Sequence, residues 1–79
     1  MTREDFKPWI MEALNAHDGK AEIFQVSRFI WDNYQHRISL DKKILYTWQY
    51  EIRWAALGLR DDGLIDLGKF KRGVWSKKG

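Results

Sequence analysis

Apolar side chains recur with the period of an α-helix from the start of the chain. Residues three, four and seven positions apart share one face of a helix. The first segment has this spacing at Phe6, Trp9, Ile10, Ala13, Leu14 and His17. Thr2 or Asp5 is a suitable N-cap, and Asp18-Gly19 is a suitable end. We therefore predict a first helix, followed at residues 20–22 by a short extended link able to add a minor strand.

Two further helical patterns follow. The second pattern consists of Ile23, Val26, Ile30 and Tyr34, and it is predicted to end between residues 33 and 36. Residues 35–46 include Ser39 and Asp41 as candidate caps, and we predict a loop there with room for one helical turn. Thr47 is the predicted N-cap of the third helix. The apolar stripe of that helix is Trp48, Ile52, Ala55 and Leu59.

A β-hairpin is predicted after the third helix. Asp61-Asp62-Gly63 ends the helix, residues 64–67 and 74–77 are predicted strands, and residues 68–73 are the turn between them. Three helices closed by a C-terminal hairpin are the arrangement of a winged helix-turn-helix, a mainly α member of the α+β class whose hairpin is the wing. Because 79 residues suffice for one hydrophobic core, we predict a single domain over residues 1–79, with residues 77–79 as a frayed tail.

The composition narrows the class of protein. Hydrophobic residues make up 44% and charged residues 32% of the chain, which is typical of a folded protein and not of a disordered one. The chain has no cysteine, which excludes a disulfide framework and a thiolate zinc site. Its apolar runs are too short to span a bilayer or to form a signal peptide. The sequence therefore predicts a cytoplasmic protein with no membrane partner.

Positive charge is concentrated at one end of the chain. The net charge is only +3, but residues 69–79 hold five basic residues and no acidic one. Lysine and arginine clustered on one surface are typical of proteins that bind a polyanion, because phosphate contacts release counterions. The alternative is a basic tail that serves solubility, and we favour it for Lys77 and Lys78 taken alone.

The polar side of the third helix is the candidate DNA-reading surface. A helix can enter the major groove, where Arg53 could contact a guanine edge and Gln49 an adenine or a phosphate. Thr47 and the free amides of the first helical turn suit a phosphate oxygen. The lysines and arginine of the predicted turn would contact the backbone without regard to sequence. The predicted DNA-binding residues are Thr47, Gln49, Tyr50, Arg53, Arg60, Lys69, Lys71 and Arg72.

Each of these assignments has a structural alternative. Arginine and glutamine are common on any solvated helix face, and lysines at a hairpin tip protect an edge strand from aggregation. Trp9, Trp31 and Trp48 have the spacing of core residues. Three large apolar residues, Tyr50, Trp54 and Leu57, lie away from the predicted core. They imply either a wing packed over them or a protein-interaction or dimerisation surface. RNA binding is a weaker third option, because no aromatic pair is predicted on a sheet face.

The third helix and the hairpin resemble a known family. The segments 48–65 and 71–75 resemble the N-terminal winged-helix domain of Mrr-type restriction endonucleases. That family has a Trp-Ala pair, a Leu four residues further on, a Gly-Leu before the wing and an Arg-Gly-x-Trp on the returning strand. This chain carries them as Trp54-Ala55, Leu59, Gly63-Leu64 and Arg72-Gly73-Val74-Trp75.

The resemblance implies binding to double-stranded DNA, as a stand-alone regulator or as the targeting part of a larger nuclease or regulatory protein. The sequence leaves the oligomeric state open, with a homodimer as one alternative. The resemblance also implies that Trp54 and Trp75 pack the third helix against the wing. Two features depart from the family: the turn at residues 68–73 is longer and more basic, and no nuclease domain follows. DNA cleavage is therefore not implied.

No arrangement of residues predicts catalysis, a metal or a cofactor. His17 and His36 lack the spacing of metal ligands. Asp61, Asp62 and Asp66 are explained by a helix end and a turn. The glycines that recur every five residues match neither a phosphate-binding loop nor a dinucleotide fingerprint. We therefore predict a binding protein that is not an enzyme and uses no cofactor.

Overall fold

Three helices and a three-stranded sheet make up the fold. The computed structural model describes residues 1–78. The elements in chain order are a 3-10 turn Arg3–Asp5, α1 Phe6–Ala16, β1 Lys20–Glu22, α2 Ile23–Ser39, α3 Lys42–Asp61, β2 Ile65–Leu67 and β3 Val74–Lys77. The structure thus confirms a mainly helical α+β protein with a C-terminal β-hairpin. The minor strand expected at residues 20–22 is present as β1.

The first helix begins and ends where its sequence predicts. The Thr2 amide donates a hydrogen bond of 2.9 Å to the Asp5 carboxylate, which fixes the turn before α1. After the helix, the Gly19 amide donates to the Leu14 carbonyl at 2.7 Å. Gly19 adopts a φ of 96°, a left-handed conformation that favours glycine. The chain can therefore leave α1 sharply and enter β1.

The loop predicted at residues 35–46 is wrong. α2 continues to Ser39 and α3 already begins at Lys42, so that only two residues link the helices. Asp41 is the N-cap of α3, because its carboxylate accepts hydrogen bonds from the Lys43 and Ile44 amides at 3.1 and 3.2 Å. Thr47 is therefore not the N-cap. It lies in the second turn of α3, where its hydroxyl donates to the Lys43 carbonyl at 3.0 Å.

The sheet is antiparallel with the strand order β1-β3-β2. Ala21 and Leu67 flank Trp75 on the face that packs against the helices. The C-terminal end of β3 is also hydrogen-bonded to the sheet. Lys77 pairs with Ile65, and the Lys78 amide donates a hydrogen bond of 3.0 Å to the Leu64 carbonyl. A frayed tail beginning at residue 77 is therefore wrong, and Gly79 lies outside the described residues.

The core is built from one face of each helix and the inner face of the sheet. Its largest fully buried side chains are Phe6, Ile10, Leu14, Val26, Ile30, Ile38, Ile52 and Ile65. Trp9 and Trp75 are also buried. Trp31 and Trp48 are half-buried and stack with their rings 5.3 Å apart. Most predicted core positions are thus confirmed, and a pair of stacked tryptophans reaches the surface between α2 and α3.

Candidate nucleic-acid interface

The outer face of α3 is open to solvent. Gln49, Tyr50, Arg53 and Arg60 are exposed as the sequence predicts, and Leu57 is half-buried. Because α3 begins six residues before the predicted start, Lys42, Lys43 and Tyr46 extend the same face toward the N-terminus of the helix. The sequence analysis missed these three residues because it assigned them to a loop.

Thr47 does not have the environment that its predicted phosphate contact requires. It is half-buried inside the helix, away from the free amides of the first turn. Two of the first-turn amides are occupied by the Asp41 carboxylate, and a negative charge at this position repels a phosphate. The start of α3 is therefore not an anion site, and Thr47 lies at the border of the exposed face.

A groove of about 670 Å³ separates the first half of α2 from the middle of α3. We call it the α2–α3 groove; its lining residues are Ile23, Phe24, Ser27, Arg28, Trp31, Trp48, Gln49 and Arg53. The stacked tryptophans form its apolar floor. Among the described residues, two arginines and no acidic residue line it, so the groove is suited to an anionic partner.

The arginines of the groove, Arg28 and Arg53, and Arg60 further along α3 differ in their partners. Within residues 1–78, Arg53 forms no ion pair. Arg28 lies 3.6 Å from Asp32, and Arg60 lies 3.3 Å from Asp61. Both of these pairs are exposed, and exposed pairs contribute little to stability. All three arginines are therefore accessible to an incoming phosphate or base edge, with Arg53 the least engaged. The sequence analysis missed Arg28, because the packing of α2 beside α3 is not visible from spacing alone.

The second basic element is the loop between β2 and β3, residues 68–73, which we call the hairpin loop. Its base is closed by hydrogen bonds from the Gly68 amide to the Val74 carbonyl at 2.9 Å and from the Val74 amide to the Lys71 carbonyl at 3.1 Å. Lys69, Lys71 and Arg72 are exposed, and none of them has an acidic partner in the described part of the chain. The loop thus carries three free positive charges on a closed backbone.

The groove and the hairpin loop meet at the first turn of α2. The Ile23 side chain lines the groove together with Arg53. The Ile23 backbone amide donates a hydrogen bond of 3.2 Å to the Gly73 carbonyl at the end of the hairpin loop. One residue therefore connects the arginine-bearing side of α3 with the base of the lysine-rich loop.

Phe70 stands out within the hairpin loop. Its side chain is 62% exposed although it is apolar. The Lys20 and Lys69 ammonium nitrogens lie 4.7 and 5.6 Å from its ring centroid, which is within cation–π range. The sequence analysis did not single out this residue, because the contact with Lys20 depends on the pairing of β1 with β3.

A row of aromatic residues lies along one border of the outer face of α3. Tyr46, Tyr50 and Trp54 are 86, 59 and 41% exposed, and the Tyr50 and Trp54 rings meet edge to face at 5.9 Å. The Arg3 guanidinium lies 5.2 Å above the Trp54 ring while it donates to Glu51 at 2.8 Å. Trp54 thus contacts the N-terminal segment through Arg3, and it does not have the wing-packing role that the family resemblance implies. Trp75, in contrast, is buried, as that resemblance implies.

Residues 1–78 contain no group of three or more His, Cys, Asp or Glu side chains arranged to hold a metal ion. No helix within that range is both long enough and apolar enough to cross a bilayer. Comparison with protein-family models, curated proteins and solved structures finds no match to the chain. The resemblance to Mrr-type domains accordingly stays a prediction that rests on the motif residues.

Proposed function

We propose that this chain is a winged-helix module that binds double-stranded DNA through the outer face of α3 and the hairpin loop. Three helices followed by a hairpin, with β1 added to that hairpin, support the assignment of the fold. The observation that carries the proposal is the link at Ile23, which joins an exposed arginine-bearing helix face to a loop with three free basic residues.

Each side chain then has a role set by its chemistry. Arg53 is free to donate two hydrogen bonds to a guanine edge, and Gln49 has the donor and acceptor pair that matches adenine. Arg28 faces the same groove and suits a backbone phosphate. Lys69, Lys71 and Arg72 contact phosphates on the other side of the first turn of α2. Sequence preference would thus come from α3 and most of the salt-dependent affinity from the arginines and the loop.

The salt dependence of binding tests this proposal. A fluorescein-labelled duplex of about 16 base pairs is titrated with the protein at several salt concentrations, and the affinity is read from anisotropy. If the three basic residues of the loop, Arg28 and Arg60 meet phosphates, log affinity falls with log salt at a slope of about −4.5, from about 0.9 for each contact. Absence of binding, or a slope near zero, contradicts the proposal.

Self-association through the aromatic row is the second candidate function. Its support is the exposure of Tyr46, Tyr50 and Trp54 along one side of α3, because neighbouring apolar groups on a surface commonly mark a protein interface. Sedimentation equilibrium distinguishes the two candidates. Dimerisation that persists in high salt and is lost in Tyr50→Ser with Trp54→Ser favours the second function, whereas a monomer that binds duplex favours the first.

A further inference from the structure

Phe70 has a placement that the proposed phosphate contacts do not explain. A phenylalanine side chain cannot form an ion pair or a hydrogen bond with a phosphate. Phe70 nevertheless remains 62% exposed, even with two lysines beside its ring. Apolar side chains next to cations are suited to nucleic acid, because the cations meet phosphates while the ring stacks on the flat faces of bases. The loop therefore offers a stacking group as well as charge.

Hydrogen bonds restrict the backbone of the loop that carries the Phe70 ring. The loop base is closed by the Gly68–Val74 and Lys71–Val74 hydrogen bonds, and the Ile23 amide holds the carbonyl of Gly73. The cation–π contacts with Lys20 and Lys69 further restrict the ring. A preordered side chain loses less conformational entropy when it binds.

With α3 in the major groove, the hairpin loop beside it would reach the adjacent minor groove. In the minor groove, apolar side chains that enter between base pairs partly unstack them and kink the duplex. This unstacking costs least where a base-pair step is already weak, as at a mismatch or at a flexible pyrimidine–purine step.

We propose that Phe70 is a wedge that enters a deformable base-pair step when the chain binds DNA, so that binding is tighter where the duplex unstacks easily. This inference rests on the proposed function. The partner is double-stranded DNA with a base-pair step that unstacks easily, and Phe70 is the side chain that enters this step. Lys20 and Lys69, which flank the ring, would move from the ring to the phosphates on either side of the step.

The test compares two duplexes that are identical except for one central T·T mismatch, with 2-aminopurine placed beside that position. We expect the wild-type chain to bind the mismatched duplex about 5- to 10-fold more tightly and to raise the 2-aminopurine fluorescence through unstacking. Phe70→Ala should lose both effects while it retains the salt slope on matched duplex. Phe70→Leu, which keeps an apolar wedge, should retain both effects.

Leu40→Ala is the control, because Leu40 is also a large apolar residue and is 74% exposed, but it lies in the link between α2 and α3, away from the groove and the hairpin loop. It should keep the mismatch preference. Circular dichroism of each variant controls for folding, since Phe70 lines the same surface depression as the buried Ser76. If Phe70 only covers the sheet, Phe70→Ala lowers the melting temperature and leaves the preference unchanged, which overturns the wedge.

Failure of the wedge and failure of the proposed function give different results. Salt-dependent binding to both duplexes with equal affinity, or a preference that survives in Phe70→Ala, overturns the wedge and leaves DNA binding intact. Tighter binding to single strands than to either duplex also overturns it, in favour of stacking on unpaired bases. Absence of salt-dependent binding to both duplexes refutes the proposed function itself.

Discussion

Removal of the positive charge from the hairpin loop should flatten the salt dependence of DNA binding. Replacing Lys69, Lys71 and Arg72 by glutamine removes the three free charges of that loop. With about 0.9 counterions released per phosphate contact, five contacts give a slope of about −4.5 and two give about −1.8. Between 50 and 200 mM salt the wild-type chain should therefore lose about 500-fold in affinity, and the triple variant only about 12-fold.

Fluorescence anisotropy over that salt range measures both slopes. The control removes the same charge outside the loop, with glutamine at Lys7 on α1, at Arg37 near the end of α2 and at Lys78 after β3. This control should keep a slope close to that of the wild-type chain. An unchanged slope in the loop variant, or an equal reduction in the control, would refute the assignment of phosphate contacts to the hairpin loop.

Three further predictions concern single residues. Arg53→Ala should change the relative affinity for duplexes of different sequence by about 1–3 kcal/mol in competition binding, because a guanine contact is lost, whereas an equal loss on all sequences would assign Arg53 to the backbone. Ile52→Ala should lower the free energy of unfolding by about 2–5 kcal/mol in urea, because the side chain is fully buried. The hydrogen bond from the Ile44 amide, helped by the Met1 amino group and the Lys43 amide, lowers the pKa of Asp41. A lowered folded pKa stabilises the fold above the unfolded value near 4 and loses that effect as the pH falls further. The thermal stability difference between wild type and Asp41→Ala should therefore be full at pH 7 and shrink below pH 4, and an equal difference at both pH values contradicts the cap.

The sequence predicts most of the fold because strong local signals bound most of its elements. α1 has a complete apolar stripe followed by a glycine, and the hairpin has two short strands separated by a glycine-flanked turn. The link between α2 and α3 lacks such signals, because Leu40 and Asp41 include neither glycine nor proline. Asp41 and Thr47 are both suitable caps by residue type. The folded chain selects Asp41, whose carboxylate caps α3, while Ile38 and Ile44 are buried in the core on either side of the link.

The candidate site is only partly predictable for a similar reason. The helical period places Gln49 and Arg53 on the outer side of α3 wherever that helix begins, so their exposure follows from sequence. Arg28 belongs to the candidate site because it lies in the same groove as Arg53. Phe70 belongs to it because its ring contacts Lys20 on β1. In both cases the neighbour lies far away in the sequence. Such neighbours depend on how helices and strands pack, which local spacing does not encode.

The central claim is that the outer face of α3 and the hairpin loop form one continuous surface for duplex DNA. A titration of the ¹⁵N-labelled chain with a short duplex, followed by two-dimensional NMR, tests it most directly. We expect amide shifts at residues 49–60 and 68–73 that grow together along one binding curve, with residues 23–28 between them also affected. Shifts confined to α1 and the second half of α2, or two groups of shifts with different affinities, would contradict it.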